Sequence, residues 1–523
     1  MSLVAFKKRV SFFSFLLLLL ASSFLSVCKT KDTKYQKQID QYKQITLDDI
    51  CLKNDKNKDV DFLLGVGSSS YQVEGPGGTK EKVYNQWLEV DGKVISGEIN
   101  GKKQERVITM PGNACEHWER YKEDIQLIKD LGCNTYRFSI AWGKVNPKEK
   151  EFNKDALKHY EDVCKELQKN GIKPIITLYH YTHPVWFEKK GAFEKEENIQ
   201  YFVDYGAKIF ETLNKYDPIF LTVNTFAGVA FHGYYMGTKP PFKKDMGLAL
   251  KVFKNILDAH VGFYRKVKSQ NKNRDKDKKN KNKEEKSTIG IHKIVLPVEK
   301  YRSWQFWDNI GISFYETLNH NAVYDFFTTG KLNISLGIPA LYMKESIKYE
   351  NKEAIGALDC VGLNYYSGAY MSNFKVRCRT ECIPTQSALF TIYPEGFYIA
   401  LKQVHEKLAK PIQEIKKEAV PIYVTENGIA TENDTHRDIF YRSHLQNLSK
   451  AIADGVDVRG YVAWSLMDNY DWLEGYDMHF GLYTVDRKTQ KRALKDGTEF
   501  LTSVFKKHTE KPKAPIPLPN TKQ

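Results

Sequence analysis

Eight short runs of nearly continuous hydrophobicity punctuate the chain: FLLGVGSS (62–69), NTYRFSIAW (134–142), KPIITLYH (173–180), IFLTVN (219–224), TIGIHKIV (288–295), DCVGLNYY (359–366), VPIYVTEN (420–427) and RGYVAWS (459–465). A strand with one solvated face alternates apolar and polar residues. A run without alternation fits a parallel strand covered on both faces. Between the runs lie segments of helical period, such as EHWERYKEDIQLIKDLG (116–132) and ALKHYEDVCKELQKNG (156–171), the second closed by Gly171. Eight βα units in one stretch predict an α/β fold, a (β/α)8 TIM barrel forming a single catalytic domain at residues 59–508. A doubly wound sheet competes, but no GxGxxG turn follows the first run.

Composition refines the boundaries. Residues 1–28 read as an export signal, with Lys7-Lys8-Arg9 before the apolar run 11–27. LSVC, ending at Cys28, resembles a lipoprotein cleavage box, so a cleaved signal, a lipid anchor and an uncleaved membrane anchor all remain open. The chain is expected to be exported, with membrane attachment through its N-terminus as one form. Residues 29–58 read as a polar linker and 509–523 as a proline-rich tail. Of the net charge of +15, +6 falls in 266–286, where ten basic and four acidic residues predict a disordered lysine-rich insertion at about 268–286. No recognition helix or interleaved aromatics accompany that run, so nucleic acid is not an expected partner. The eight cysteines are too scattered for a zinc site, and only Cys378 and Cys382 are close enough to suggest a disulfide.

In a barrel, chemistry belongs to the carboxyl ends of the strands. Those ends carry Gln72 and Glu74, Arg137, His180, Asn224, Asn364 with Tyr366, Glu426, and Trp464. Hydrogen-bonding groups ringed around a flat indole suit a sugar, which has an apolar face and a hydroxylated edge.

With FLLGVGSSSYQVEG, YRFSIAW, TLYHYTHP, LTVN, VGLNYYSG, YVTENG and AWSLMDNYDW…GYDMHFGLYTVD in order, the chain resembles the family 1 glycoside hydrolases, the β-glucosidase family, from about Asp61 to Phe505. The resemblance implies that Glu426 of TENG is the nucleophile of a retaining, double-displacement reaction. It implies that Arg137 is the counter-charge beside Glu426 and that Tyr366 hydrogen-bonds the same carboxylate. Gln72, His180, Asn224 and Asn364 would hold sugar hydroxyls. Trp464 would lie under the ring, with Trp472, Asp471 and Phe480 completing the substrate site. The substrate would be a β-glycoside or oligosaccharide, and neither a metal nor an organic cofactor is implied.

Three departures stand out. Thr225 takes the place of the family's acid/base glutamate, and Phe226 that of the proline after it. Asp471 replaces a glutamate that grips distal hydroxyls. Tyr181 and His183 replace a tryptophan and a leucine. A threonine hydroxyl cannot protonate a departing oxygen at a useful rate, and losing a general acid/base costs roughly 10²–10⁴-fold. Three readings follow: a retaining glycosidase for substrates whose leaving group needs no proton, a catalytically lapsed carbohydrate-binding or receptor-like barrel, or an enzyme whose acid role passes to another carboxylate such as Glu188.

Overall fold

The computed structural model describes residues 34–57, 59–79, 83–99, 102–277, 287–302, 306–335 and 345–509. All eight hydrophobic runs are strands. They are β1 Leu63–Gly67, β2 Thr135–Ser139, β3 Lys173–Tyr179, β4 Ile219–Val223, β5 Thr288–Ile294, β6 Cys360–Tyr365, β7 Ile422–Asn427 and β8 Val458–Trp464. Each pairs in parallel with its sequence neighbours, and β8 closes onto β1. Almost every residue in them is buried, which is why the runs lack alternation. Inside the barrel, Leu63, Ile175, Ile219, Leu221, Cys360 and Val462 plug the lower end, leaving the carboxyl ends of the strands free to form a site.

Helices cover the outer face. After α1 Gln36–Lys43 come α2 His117–Asp130, α3 Lys154–Lys169, α4 Ile199–Leu213, α5 Phe226–Tyr234, α6 Met246–Asp277 and α7 Asp434–Ala453. The start of α3 is fixed by Asn153, whose side chain accepts from the backbone N–H groups of Asp155 and Ala156. Gly171, at φ +71, reverses the chain just beyond its end.

Two expectations need correction. Residues 34–57 are not a linker. Tyr35, Ile39 and Tyr42, spaced four and three apart, form a buried stripe that continues through Ile45, Ile50 and Leu52. Helix α1 packs on α7, and Cys51 N donates to Ser449 Oγ at 2.9 Å. The stripe is easily missed because the polar residues between its members dominate any local average. The lysine-rich insertion is not irregular from residue 268. Helix α6 continues to Asp277, and Lys268 Nζ pairs with Asp359 at 2.7 Å. Only 278–286 of that stretch lie outside the described residues, as do the signal at 1–28 and the tail from 510. Cys382 is a free thiol, so it does not pair with Cys378.

Candidate active site

Side chains on a strand alternate between faces, so Thr425 and Glu426 should point in opposite directions. A bulge changes this. Strand β6 pairs Leu363 with Val424 and then Asn364 with Glu426, leaving Thr425 as an extra residue on β7. Both side chains consequently turn towards the barrel mouth. Thr425 Oγ1 donates to Asn364 Oδ1 at 2.8 Å and lies 3.1 Å from His292 Nδ1. One Glu426 oxygen accepts from Arg137 Nη1, and the other accepts from the Tyr366 hydroxyl at 2.7 Å. Beyond it, a Cβ at Gly428 would stand 1.8 Å from the carbonyl oxygen of Trp464. The ends of β7 and β8 can approach this closely only with glycine there.

Arg137 is fully buried and organises the floor. Its Nε donates to Thr177 Oγ1 at 3.1 Å and its Nη2 to Asn224 Oδ1 at 3.3 Å. A guanidinium only donates, so the Asn224 oxygen must face it. The Asn224 amide is thereby turned to donate to His180 Nε2 at 2.9 Å. That imidazole must be neutral to accept. Burial, then Arg137 and Lys239, hold its pKa well below the usual value. Asn364 Nδ2 also donates to Asn224 Oδ1, at 3.0 Å. Replacing Arg137 by methionine leaves the Glu426 carboxylate buried without its counter-charge, a loss that typically costs about 3–5 kcal/mol. The expected outcome is a fall of that size in unfolding free energy, read from the shift of the urea midpoint.

Aromatic side chains wall the cleft, which encloses about 1300 Å³, part of it open to solvent. Trp464 and Trp472 each lie near-parallel to His180 with ring centres 5.9 Å apart. Phe480 meets Tyr366 edge-on, and Phe390 stacks on the same ring at 5.5 Å. Asp471, in the loop after β8, also lines the cleft. Its pKa is pushed up to about 7, first by burial and then by Glu474, while Lys239 opposes the shift.

At the end of β4, Thr225 sits at φ +63, ψ 95 before the first residue of α5. A β-branched residue seldom adopts positive φ. Its Oγ1 lies 2.5 Å from the Tyr181 hydroxyl, so the two side chains satisfy each other. Glu188 is 2.7 Å from His183 Nε2 and is not part of the cleft lining.

The comparisons with known proteins bear on the family and the fold. A sequence profile described as "Glycosyl hydrolase family 1" matches residues 55–510. The chain belongs to glycosyl hydrolase family 1. Among its family 1 relatives is "Beta-glucosidase A" of Thermotoga maritima, 29% identical over 469 residues that cover 85% of this chain and 97% of the relative. A "6-phospho-beta-galactosidase" of Clostridium acetobutylicum is 28% identical, covering 83% of this chain and 94% of its own. Among solved structures, a "beta-glycosidase from Pyrococcus horikoshii" superposes with a TM-score of 0.69 at 30% identity, covering 88% of this chain and 96% of that one.

Against this family 1 frame, the structure brings His180, Asn224, Thr225, Asn364 and Tyr366 into one cleft with Glu426, Trp464, Asp471, Trp472 and Phe480. Arg137 is not itself in the lining and reaches it through Glu426 and Asn224. Gln72 stands behind the lining, its Nε2 donating to the Tyr470 carbonyl at 2.9 Å and to Asn469 Oδ1 at 3.1 Å. Glu74, the remaining strand-end carboxylate, is turned away and holds buried Lys144 at 3.0 Å. Sequence reasoning missed His232 and Lys239, which also line the cleft. They lie on α5 and in the loop after it, where no periodicity marks a side chain as inward.

Proposed function

We propose that this family 1 chain is a retaining β-glycosidase with impaired general acid/base catalysis. The observation that carries the reading is Glu426, held between Arg137 and Tyr366 in a cleft lined by Asn224, His180 and Trp464. A carboxylate gripped from both oxygens has one fixed orientation, as attack on an anomeric carbon requires. In the first step a Glu426 oxygen bonds to C1 as the bond to the leaving oxygen breaks. In the second, an acceptor attacks C1 from the opposite face and releases the carboxylate.

The proposal is tested by dinitrophenolate release from 2,4-dinitrophenyl β-glucoside, with and without azide. That leaving group departs as an anion without protonation, so the threonine at position 225 does not limit the first step. Slow release accelerated by azide is the expected result. Silence on both the β-glucoside and the β-galactoside would move the chain to the second reading, a sugar-binding barrel. The mutual bond between Thr225 and Tyr181, with no acid at that spot, favours that second reading.

The Asp471 carboxyl supplies a pH prediction. With a pKa of about 7 it is a neutral acid at lower pH and an anion above. The anion accepts from sugar hydroxyls at both oxygens through charge-assisted bonds stronger than those of the neutral acid. KM for glucosides should fall as pH rises through that value, and Asp471→Asn should flatten the profile in initial-rate measurements. Export of the chain is proposed from residues 1–28 alone and is tested by fractionating cells that make the full-length protein.

A further inference from the structure

Lys239 lies in the loop between α5 and α6, and its backbone is tied down on both sides. Its N–H donates to the His232 carbonyl at 3.2 Å, and its own carbonyl accepts from Phe242 N at 2.7 Å. The side chain enters the same cleft as Glu426 and Thr225. Its Nζ sits 3.6 Å from the centre of the Tyr181 ring and 5.6 Å from that of Trp472. The Tyr181 hydroxyl is the group bonded to Thr225. The ammonium therefore rests on the ring that touches the position from which a carboxyl is missing. Among the described residues no carboxylate forms an ion pair with it, whereas the buried Lys144 outside the cleft is paired with Glu74. A cation over an aromatic face is held by the ring quadrupole without a carboxylate taking up its N–H groups.

We infer that the Lys239 ammonium takes the place of the absent carboxyl acid and protonates the leaving oxygen. This rests on the glycosidase reading. As Glu426 bonds to C1 and the bond from C1 to the exocyclic oxygen breaks, that oxygen takes a proton from Nζ, leaving a neutral amine. The amine then takes a proton from the water whose oxygen attacks C1, and Glu426 is released. Both steps balance, and the lysine ends protonated as it began. Burial lowers its pKa to about 8, with Asp471 and then Glu426 opposing the shift. That lies near the pH at which an acid/base residue works best. The groups facing it are Asp471, Glu474, Glu426, Tyr181, His180 and His232. The two histidines stay neutral across this range because burial holds their pKa values far below it.

The experiment compares full-length wild type with Lys239→Met and Lys239→Arg on two substrates. Phenyl β-glucoside needs its leaving oxygen protonated, and 2,4-dinitrophenyl β-glucoside does not. Arginine keeps the charge and the ring contact but does not give up a proton near neutrality. Both variants are expected to lose on the order of 10²-fold in kcat/KM on the phenyl glucoside. That loss should exceed the loss on the dinitrophenyl glucoside by about tenfold or more, and the limb of the pH profile near 8 should vanish. Equal losses on the two substrates, or recovery by arginine, would assign Lys239 to binding by charge and overturn the inference. If wild type turns over neither substrate, the glycosidase reading fails first and takes this inference with it. Thermal melting of the three proteins guards against a folding artefact, and a melted variant is replaced by Lys239→Gln in the same comparison.

Discussion

Replacing Glu426 by glutamine is expected to slow the first release of dinitrophenolate by on the order of 10⁴- to 10⁶-fold, the range for removing a member of a covalent catalytic unit. Glutamine fills the same space, its oxygen still accepting from Arg137 while its amide N–H donates to the Tyr366 hydroxyl, so the floor of the site survives without the carboxylate. Alanine goes further and leaves the fully buried Arg137 with neither a charged partner nor an acceptor in that space. Its expected cost is about 3–5 kcal/mol of stability, which makes glutamine the better variant for rates. Alanine is the better variant for stereochemistry. With Glu426 present, azide attacks the glycosyl-enzyme from the face the leaving group vacated and gives the β-glucosyl azide. With Glu426→Ala, azide entering the emptied space displaces dinitrophenolate directly and gives the α-glucosyl azide. Recovery of the β-azide from the alanine variant would show that some group other than Glu426 forms the covalent intermediate.

Replacing Thr225 by glutamate is expected to act in the opposite direction. Restoring a carboxyl acid at this position should raise kcat/KM on phenyl β-glucoside and cellobiose by on the order of 10²-fold. That is the low end of the range for such a group, because Lys239 already supplies part of the proton transfer. Two features favour the change. Glutamate is not β-branched, so it tolerates the backbone at φ +63 better than threonine does. The cleft has open volume in front of this residue. One feature opposes it, the Tyr181 hydroxyl 2.5 Å from Thr225 Oγ1, which must swing aside. Tyr181→Phe combined with Thr225→Glu removes that competitor and should enlarge the gain. If neither the single nor the double variant gains on phenyl glucoside while both still release dinitrophenolate, proton donation at this position is not what limits the enzyme.

Most of the fold could be read from the chain because parallel barrel strands are buried on both faces. That burial writes itself as unbroken hydrophobic runs, and all eight became strands. What escaped followed different physics. Helix α1 depends on three apolar residues whose spacing is helical but whose surroundings are polar. The length of α6 was hidden because charge content says little about whether a helix already started will continue. Within the site, strand-end residues such as Asn224, Asn364 and Glu426 converge because the barrel points those ends at one opening. Glu74 shows the limit of that logic, since one step along the chain past Val73 sends it into a pair with Lys144 instead. Lys239 arrives from a loop, where position depends on contacts rather than on period.

The extra residue in β7 affects how this chain can be compared with others. Below Val424 the strand keeps one parity of inward and outward positions, and above it the parity is reversed relative to β6. Counting residues from the lower end of the barrel would therefore place Glu426 one position off, facing the wrong way. A single-residue deletion in this strand would silence the site as surely as removing the carboxylate, while leaving every nearby side chain chemically intact.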